Sequence, residues 1–410
     1  MNLVRPPAHI RTPDAVTAWL GAVDHERPLQ LDLRHRIWTA AAIATLAHSP
    51  HLVKVSGLAL SETKIGDDGL KVLCSSPYLT QLTFLGMEHA DITFEGIQAL
   101  AASPLMRTLQ HLRMDGNRVG LVGLLTILSA GPALRVVDAS SCAIAPSPGG
   151  TTDQAYAMNV NARVEELGLG GNRVTAAVLA AVYRTVSPEY LERLTLQGNG
   201  IDDVCMGDIA PLLPTTLRTL DLMMNRIQPG GMEHLVQRPH PNLRSLILDS
   251  NPIGDAGFLG LLASKHFQGL EKLAVGRTNV SSRSVNQFVK SPLFLGLREL
   301  DLVENEVGDD AIVSACDDRY PNQLDVLSLA DTALTDISLV AIGRSRSFLA
   351  LRDIDLGHNP EVTRNGIRAF LGSEVASRLQ RIRLEGYDLA PGDVSEYIVG
   401  GKKIYISAMS

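Results

Sequence analysis

Four cysteines, 11 histidines and 44 acidic residues are the side chains through which this 410-residue chain could hold a metal or act on a bond. Their spacing argues against both. Cys74, Cys142, Cys205 and Cys316 are far apart, with no CxxC pair and no metal-ligand spacing, so neither a zinc site nor a disulfide framework is expected. The histidines fall singly, and His48-x-x-His51 has no further ligand nearby in sequence. GLGGNR at 168–173 has the glycines of a phosphate-binding loop but not the Lys-Ser/Thr that would grip the phosphates. The patterns G-x-x-x-x-G-K-[ST], H-E-x-x-H and G-x-S-x-G do not occur. Asn279-Val280-Ser281 is a formal glycosylation sequon, but it lies within a repeated turn. The expectation is a non-enzyme without metal or cofactor.

Composition points the same way. A net charge of −7 is modest and of the wrong sign for a general nucleic-acid binder. Aromatic residues make up 4% against 45% hydrophobic overall, so the core must consist of many thin aliphatic layers rather than a few large rings. The opening MNLVRPPAHIRTPDAV lacks the basic-then-apolar order of a secretory signal, and no stretch reaches the ~18 apolar residues of a membrane helix. A cytoplasmic, monomeric chain is expected, with a protein partner and neither nucleic acid nor membrane.

The elements that position these residues recur. LERLTLQGNGI begins at Leu191, LRTLDLMMNRI at Leu217, LRSLILDSNPI at Leu243, LEKLAVGRTNV at Leu270 and LRELDLVENEV at Leu297. LDVLSLADTAL follows at Leu324, LRDIDLGHNPEV at Leu351 and LQRIRLEGYDL at Leu379. Towards the N-terminus the starts are Val164, Leu134, Leu109, Leu79 and Val55, with a degenerate unit at Pro28. From Val55 to Leu379 the steps are 24, 30, 25, 30, 27, 26, 26, 27, 27, 27, 27 and 28 residues, about fourteen units in all.

In each L-x-x-L-x-L the last two leucines alternate with a polar residue, the periodicity of a strand with one buried face. Asn117, Asn172, Asn199, Asn225, Asn251, Asn305 and Asn359 follow three residues later, able to satisfy backbone groups exposed as the chain leaves the strand. Thr63, Cys142, Thr278, Thr332 and Tyr387 stand at that place in other units, which gives Cys142 a structural role. Segments such as GDAGFLGLLAS (254–264) then space their apolar residues three and four apart, predicting a short helix.

These units resemble leucine-rich repeats of the ribonuclease-inhibitor type, and L-x-x-L-x-L-x-x-N-x-[IV]-G-D-x-G is most similar to repeats of bacterial intracellular proteins. The resemblance covers residues 28–389. It implies an α/β solenoid, a horseshoe with a parallel β-sheet on the concave face and helices on the convex face, about 65 Å along its inner wall. Residues 1–27 read as an N-terminal helical cap, with Thr12, Pro13 and Asp14 as its N-cap, N1 and N2. Residues 390–410 read as a C-terminal cap in which KKIYIS (402–407) is a closing strand. Two segments break the rhythm, an extended turn at 85–91 and the Pro/Gly/Ser/Thr-rich stretch 145–163.

The fold implies a scaffold that binds a protein through the concave strands. In the last third those positions collect acids, Glu299, Asp301, Glu304, Asp331, Asp353 and Asp355, a negative patch suited to a basic partner. Arg381 and Arg383 stand one unit beyond Asp353 and Asp355, so solvated cross-strand ion pairs are the competing reading of those two acids. His111, Arg113 and Arg135 make a thinner basic spot. Two other functions share the scaffold. One resembles the activators of the Ran GTPase, with Arg113, Arg118, Arg173 or Arg226 on a turn assisting hydrolysis by the partner. The other is a secreted bacterial effector that grips a host protein.

Overall fold

The computed structural model describes residues 4–8, 10, 12–23, 28–35, 38–146, 162–317, 319, 322–398 and 403–406. Most of the stretch 145–163 and both ends of KKIYIS therefore lie outside the described residues. The chain divides into two compact units, Met1–Asn199 and Gly200–Ser410.

In the first unit the described strands are Leu29–Asp32, Val55–Ala59, Phe84–Gly86, His111–Arg113, Val136–Asp138, Glu166–Gly168 and Arg193–Thr195. Each pairs in parallel with the next in chain order. The second unit repeats the plan with Thr219–Asp221, Ser245–Ile247, Lys272–Ala274, Glu299–Asp301, Val326–Ser328, Asp353–Asp355, Arg381–Arg383 and Lys403–Tyr405. Parallel neighbours need a crossover, and here most crossovers carry a helix, such as Gly66–Cys74, Gly254–Ala263 and Asp336–Arg344. A central aliphatic residue of most strands, Leu58, Leu112, Leu246 or Leu300 for example, is buried between sheet and helices. In the second unit Phe288 packs tilted against Phe258 and edge to face against Phe294, at 5.1 and 5.4 Å between centroids. The helix Pro13–Ala22 has the expected cap: the Ala15 N–H donates to Thr12 Oγ1 at 3.3 Å.

The asparagines form the internal ladder that their spacing predicts. Asn251 is fully buried; its Nδ2 donates to the Leu222 and Leu248 carbonyls at 2.8 and 2.9 Å, and its Oδ1 accepts from the Ile227 N–H at 3.1 Å. Thr278 and Thr332 keep one of these bonds, donating to Val275 and Leu329. The Cys142 thiol donates to the Met114 carbonyl at 3.0 Å, and burial pushes its pKa up to about 12, so it stays a protonated ladder residue. Tyr387 reaches back to the Leu356 carbonyl at 2.5 Å. Ahead of the ladder residue the backbone turns left-handed, with φ of 64° at Gly171 and 63° at Gly198. In GLGGNR, Gly168 ends a strand and Gly171 thus serves a turn.

One expectation is overturned. The turn at 85–91 is not extended. Phe84, Leu85 and Gly86 pair with His111, Leu112 and Arg113, and Leu82, Leu85 and Met87 are completely buried. The unit therefore starts at Leu82, 27 residues after Val55 and 27 before Leu109, with Ala90 in the ladder position. Leu79 imitates the first leucine because it too precedes another leucine by three residues. Only pairing shows that Phe84 occupies a sheet-face position.

A second ladder lies at the helix N-termini. Asp67, Asp255, Asp309 and Asp336 accept from the backbone N–H and hydroxyl of Thr93, Ser281, Thr335 and Thr363 in the next unit, for example at 2.8 and 2.6 Å for Asp255. Asp67 and Asp255 stand in the recurring G-D-x-G, and the physical use of that aspartate is to join one helix start to the next.

Candidate docking face

The face of the sheet turned away from the helices is built from the residues on either side of each buried strand centre. In the second unit one row across it reads Asp221, Ile247, Ala274, Asp301, Ser328, Asp355, Arg383 and the next reads Thr219, Ser245, Lys272, Glu299, Val326, Asp353, Arg381. The aspartates of the first row are held locally. Asp221, Asp301 and Asp355 each accept, through Oδ1, the N–H two residues on, at 2.9, 3.0 and 3.0 Å. This Asx-type bond explains why L-D-L recurs at strand exits and fixes each carboxylate over the sheet.

Asp249, two residues beyond Ile247, joins them. It accepts from the Gly276 N–H at 2.6 Å, and Gly276 lies between Asp249 and Asp301. A concavity of about 280 Å³ opens here, lined by Asp221, Asp249, Asp301, Lys272, Ile247 and Ala274. Burial, reinforced by Asp301 and Asp221, pushes the Asp249 carboxyl up to about 6 against its hydrogen bond from Gly276. Burial likewise raises Asp221, Asp301 and Asp355. Asp221, Asp249 and Asp301 have no ion-pair partner among the described residues. Lys272, the nearby cation, is held by Glu299 at 2.9 Å.

The other acids anticipated on this face divide by partner. Asp353 pairs with Arg381 at 2.7 Å and Arg383 at 3.4 Å, and Asp355 lies 4.0 Å from Arg383. Glu304 pairs with Arg277. Asp331 is exposed, and its carboxylate has no hydrogen-bond or ion-pair partner among the described residues. The structure therefore gathers Glu299, Asp301, Asp353 and Asp355 on the strands, and places Glu304 and Asp331 on the adjoining turns. Asp221 and Asp249 escaped the sequence reading. Asp221 carries the same L-D-L signal as Asp301; Asp249 carries none, because its side depends on how far the strand geometry persists past Ile247.

In the first unit, His111 and Arg113 share a strand, while Arg135 is drawn to Glu165 at 3.4 Å. Burial lowers the His111 pKa, so it is neutral at pH 7. Among the described residues no group of three or more His, Cys, Asp or Glu is placed to hold a metal ion, and no helix is long and apolar enough to cross a membrane.

Comparison with known proteins bears on the fold. A family model described as a leucine-rich repeat matches residues 49–74, 214–236 and 240–262. A chain of the yeast Rad7 and Elc1 complex is similar at 16% identity over 90% of this chain and 83% of that one, with a TM-score of 0.52. A chain of the TLR13–ssRNA13 complex matches at 18% identity over 90% of this chain and 53% of that one, with a TM-score of 0.46. An internalin from Listeria monocytogenes matches at 16% identity over 89% and 97%, with a TM-score of 0.44. No curated protein matches the sequence. With the strand–helix repeat and the buried asparagine ladder already described, the chain has the fold of a leucine-rich-repeat solenoid.

Proposed function

We propose that this chain is a non-enzymatic interaction scaffold that docks a basic protein segment on the strand face of its second unit. The contacts are Glu299, Asp301, Glu304, Asp331, Asp353 and Asp355, joined by Asp221 and Asp249. Solenoids use such continuous strand faces as binding surfaces. The observation that carries the reading is the Asp221–Asp249–Asp301 cluster. Three part-buried carboxylates share one concavity, and their mutual repulsion is relieved when a cation arrives. A solvated surface has no need of carboxylates held in a place that resists ionisation. The helix in most units and the roughly 27-residue period support the ribonuclease-inhibitor type, and four cysteines far apart in sequence without a CxxC pair are in keeping with a reducing, cytoplasmic setting.

The test is affinity capture from native lysate followed by titration of the captured partner at two salt concentrations. Neutralising the cluster with Asp249→Asn and Asp301→Asn keeps both oxygen acceptors and removes two charges. It should weaken binding by about tenfold and flatten its salt dependence. Asp310→Asn, on the helix Gly308–Ala315, should change neither. Equal affinity and equal salt slope in all three proteins would reject the proposal.

A further inference from the structure

Beside the strand face, where the chain turns off the strands of the second unit, two concavities of about 790 and 610 Å³ share Glu304, Asp331 and Pro360 and form one open groove. Its floor is apolar: Ala330, Val362, Ile367 and Tyr387 are all nearly buried, and the Tyr387 hydroxyl is already committed to Leu356. Its lip is acidic. Glu304 has its cation in Arg277, and Asp388 has Arg364 at 2.6 Å. Asp331 and Glu306, on the same lip, have no ion-pair partner among the described residues. The lining thus carries a net negative charge above an aliphatic bed.

An apolar bed beneath an unpaired carboxylate matches one side-chain chemistry: a methylene stem ending in a cation. Val303 links this groove to the strand face, two residues beyond Asp301 in extended chain, so a segment lying on the strands reaches the groove within two or three of its own residues. We propose that the groove seats an arginine or lysine side chain of the docked segment, its stem on Ala330, Val362 and Ile367 and its charge on Asp331 and Glu306. The proposal rests on the reading of the strand face as the docking surface and adds a specificity pocket to it.

The experiment uses the full chain with ¹³C-labelled Ile, Leu and Val methyl groups and two dipeptides, N-acetyl-Leu-Arg-amide and its uncharged citrulline analogue. The arginine dipeptide should shift the methyls of Val303, Val362 and Ile367 in a saturable way. The citrulline analogue and Asp331→Asn should each weaken that response at least about fivefold. Asparagine tolerates the left-handed backbone at this position, φ 52°, so the variant keeps the turn. Equal binding of the two dipeptides, no loss in Asp331→Asn, or the absence of any shift at these methyls would overturn the proposal. Hexa-arginine titrated against the methyls of Ile247 and Val326 reports the strand face separately. Shifts there without a response in the groove would reject the pocket alone, and silence there would reject the docking face.

Discussion

Asn251 illustrates what a single residue contributes to a repeat. Its amide answers carbonyls in two successive units and a backbone N–H in the earlier one, all out of contact with water. Alanine would strand these groups, and each orphaned buried partner costs about 1–3 kcal/mol. Asn251→Ala should therefore lower stability by about 2–4 kcal/mol in denaturant titration, whereas Asn→Ala at exposed Asn365 should change it by less than about 0.5 kcal/mol. Asp249 works in the opposite direction. Its carboxyl titrates at about 6 when folded and near 3.8 when unfolded, so between those values the folded chain binds more protons. Stability accordingly falls as pH rises from about 4 to about 6, and the full cost is present above that range. Asp249→Asn should stabilise the protein at pH 7 by on the order of 1 kcal/mol, allowing for partial solvent screening, and the gain should vanish by pH 4. A stabilisation that persists at pH 4 would show that charge is not its source.

At the scale of the strand–helix element, neighbours are joined twice, by the asparagine ladder behind the strands and by the aspartate ladder at the helix starts. Asp255 carries the second: Ser281 donates from both N–H and hydroxyl, and the Ser284 hydroxyl donates at 2.6 Å. These bonds hold its carboxyl below the usual aspartate range despite burial that opposes ionisation. Asp255→Ala should cost about 1–2 kcal/mol. Because each unit packs on its neighbours, amide hydrogen exchange should quicken first in the helices Gly254–Ala263 and Ser282–Phe288. Uniform acceleration across the chain would contradict this nearest-neighbour picture. The period of these elements was legible because every unit repeats the same buried face. The start at Leu82 was not, since Leu79-x-x-Leu82 and Leu82-x-x-Leu85 are equivalent as patterns and only the pairing of Phe84 with His111 separates them.

For the whole molecule, a net charge of −7 says less than where the uncompensated charge sits. Lys272, Arg277, Arg381 and Arg383 neutralise much of the acid that the sequence places on the strands and turns. What remains among the described residues includes Asp221, Asp249 and Asp301 on the strand side and Asp331 and Glu306 on the turns. Binding of a cationic probe such as hexa-arginine to the strand face should weaken as pH falls through about 6, because Asp249 then takes up its proton. Calorimetric titration at pH 7.5 and 5.5 checks this, and Asp249→Asn should remove most of the difference. A pH dependence unchanged in that variant would place the titrating group elsewhere.

By itself the sequence determined the repeat, the buried strand face, the asparagine ladder and the helix behind most strands, because all of these follow from local periodicity and from backbone groups that must be satisfied within one unit and the next. It also pointed to acids of the last third, Glu299, Asp301, Asp353 and Asp355, that lie on the strands. Only the tertiary structure decided which of them keep their charge unpaired. Ion pairing and desolvation depend on which side chains meet across strands about 27 residues apart in sequence, and no single unit contains that information. Glu299 and Asp353 thus receive cations, while Asp249, which the strand pattern did not single out, shares one concavity with Asp221 and Asp301.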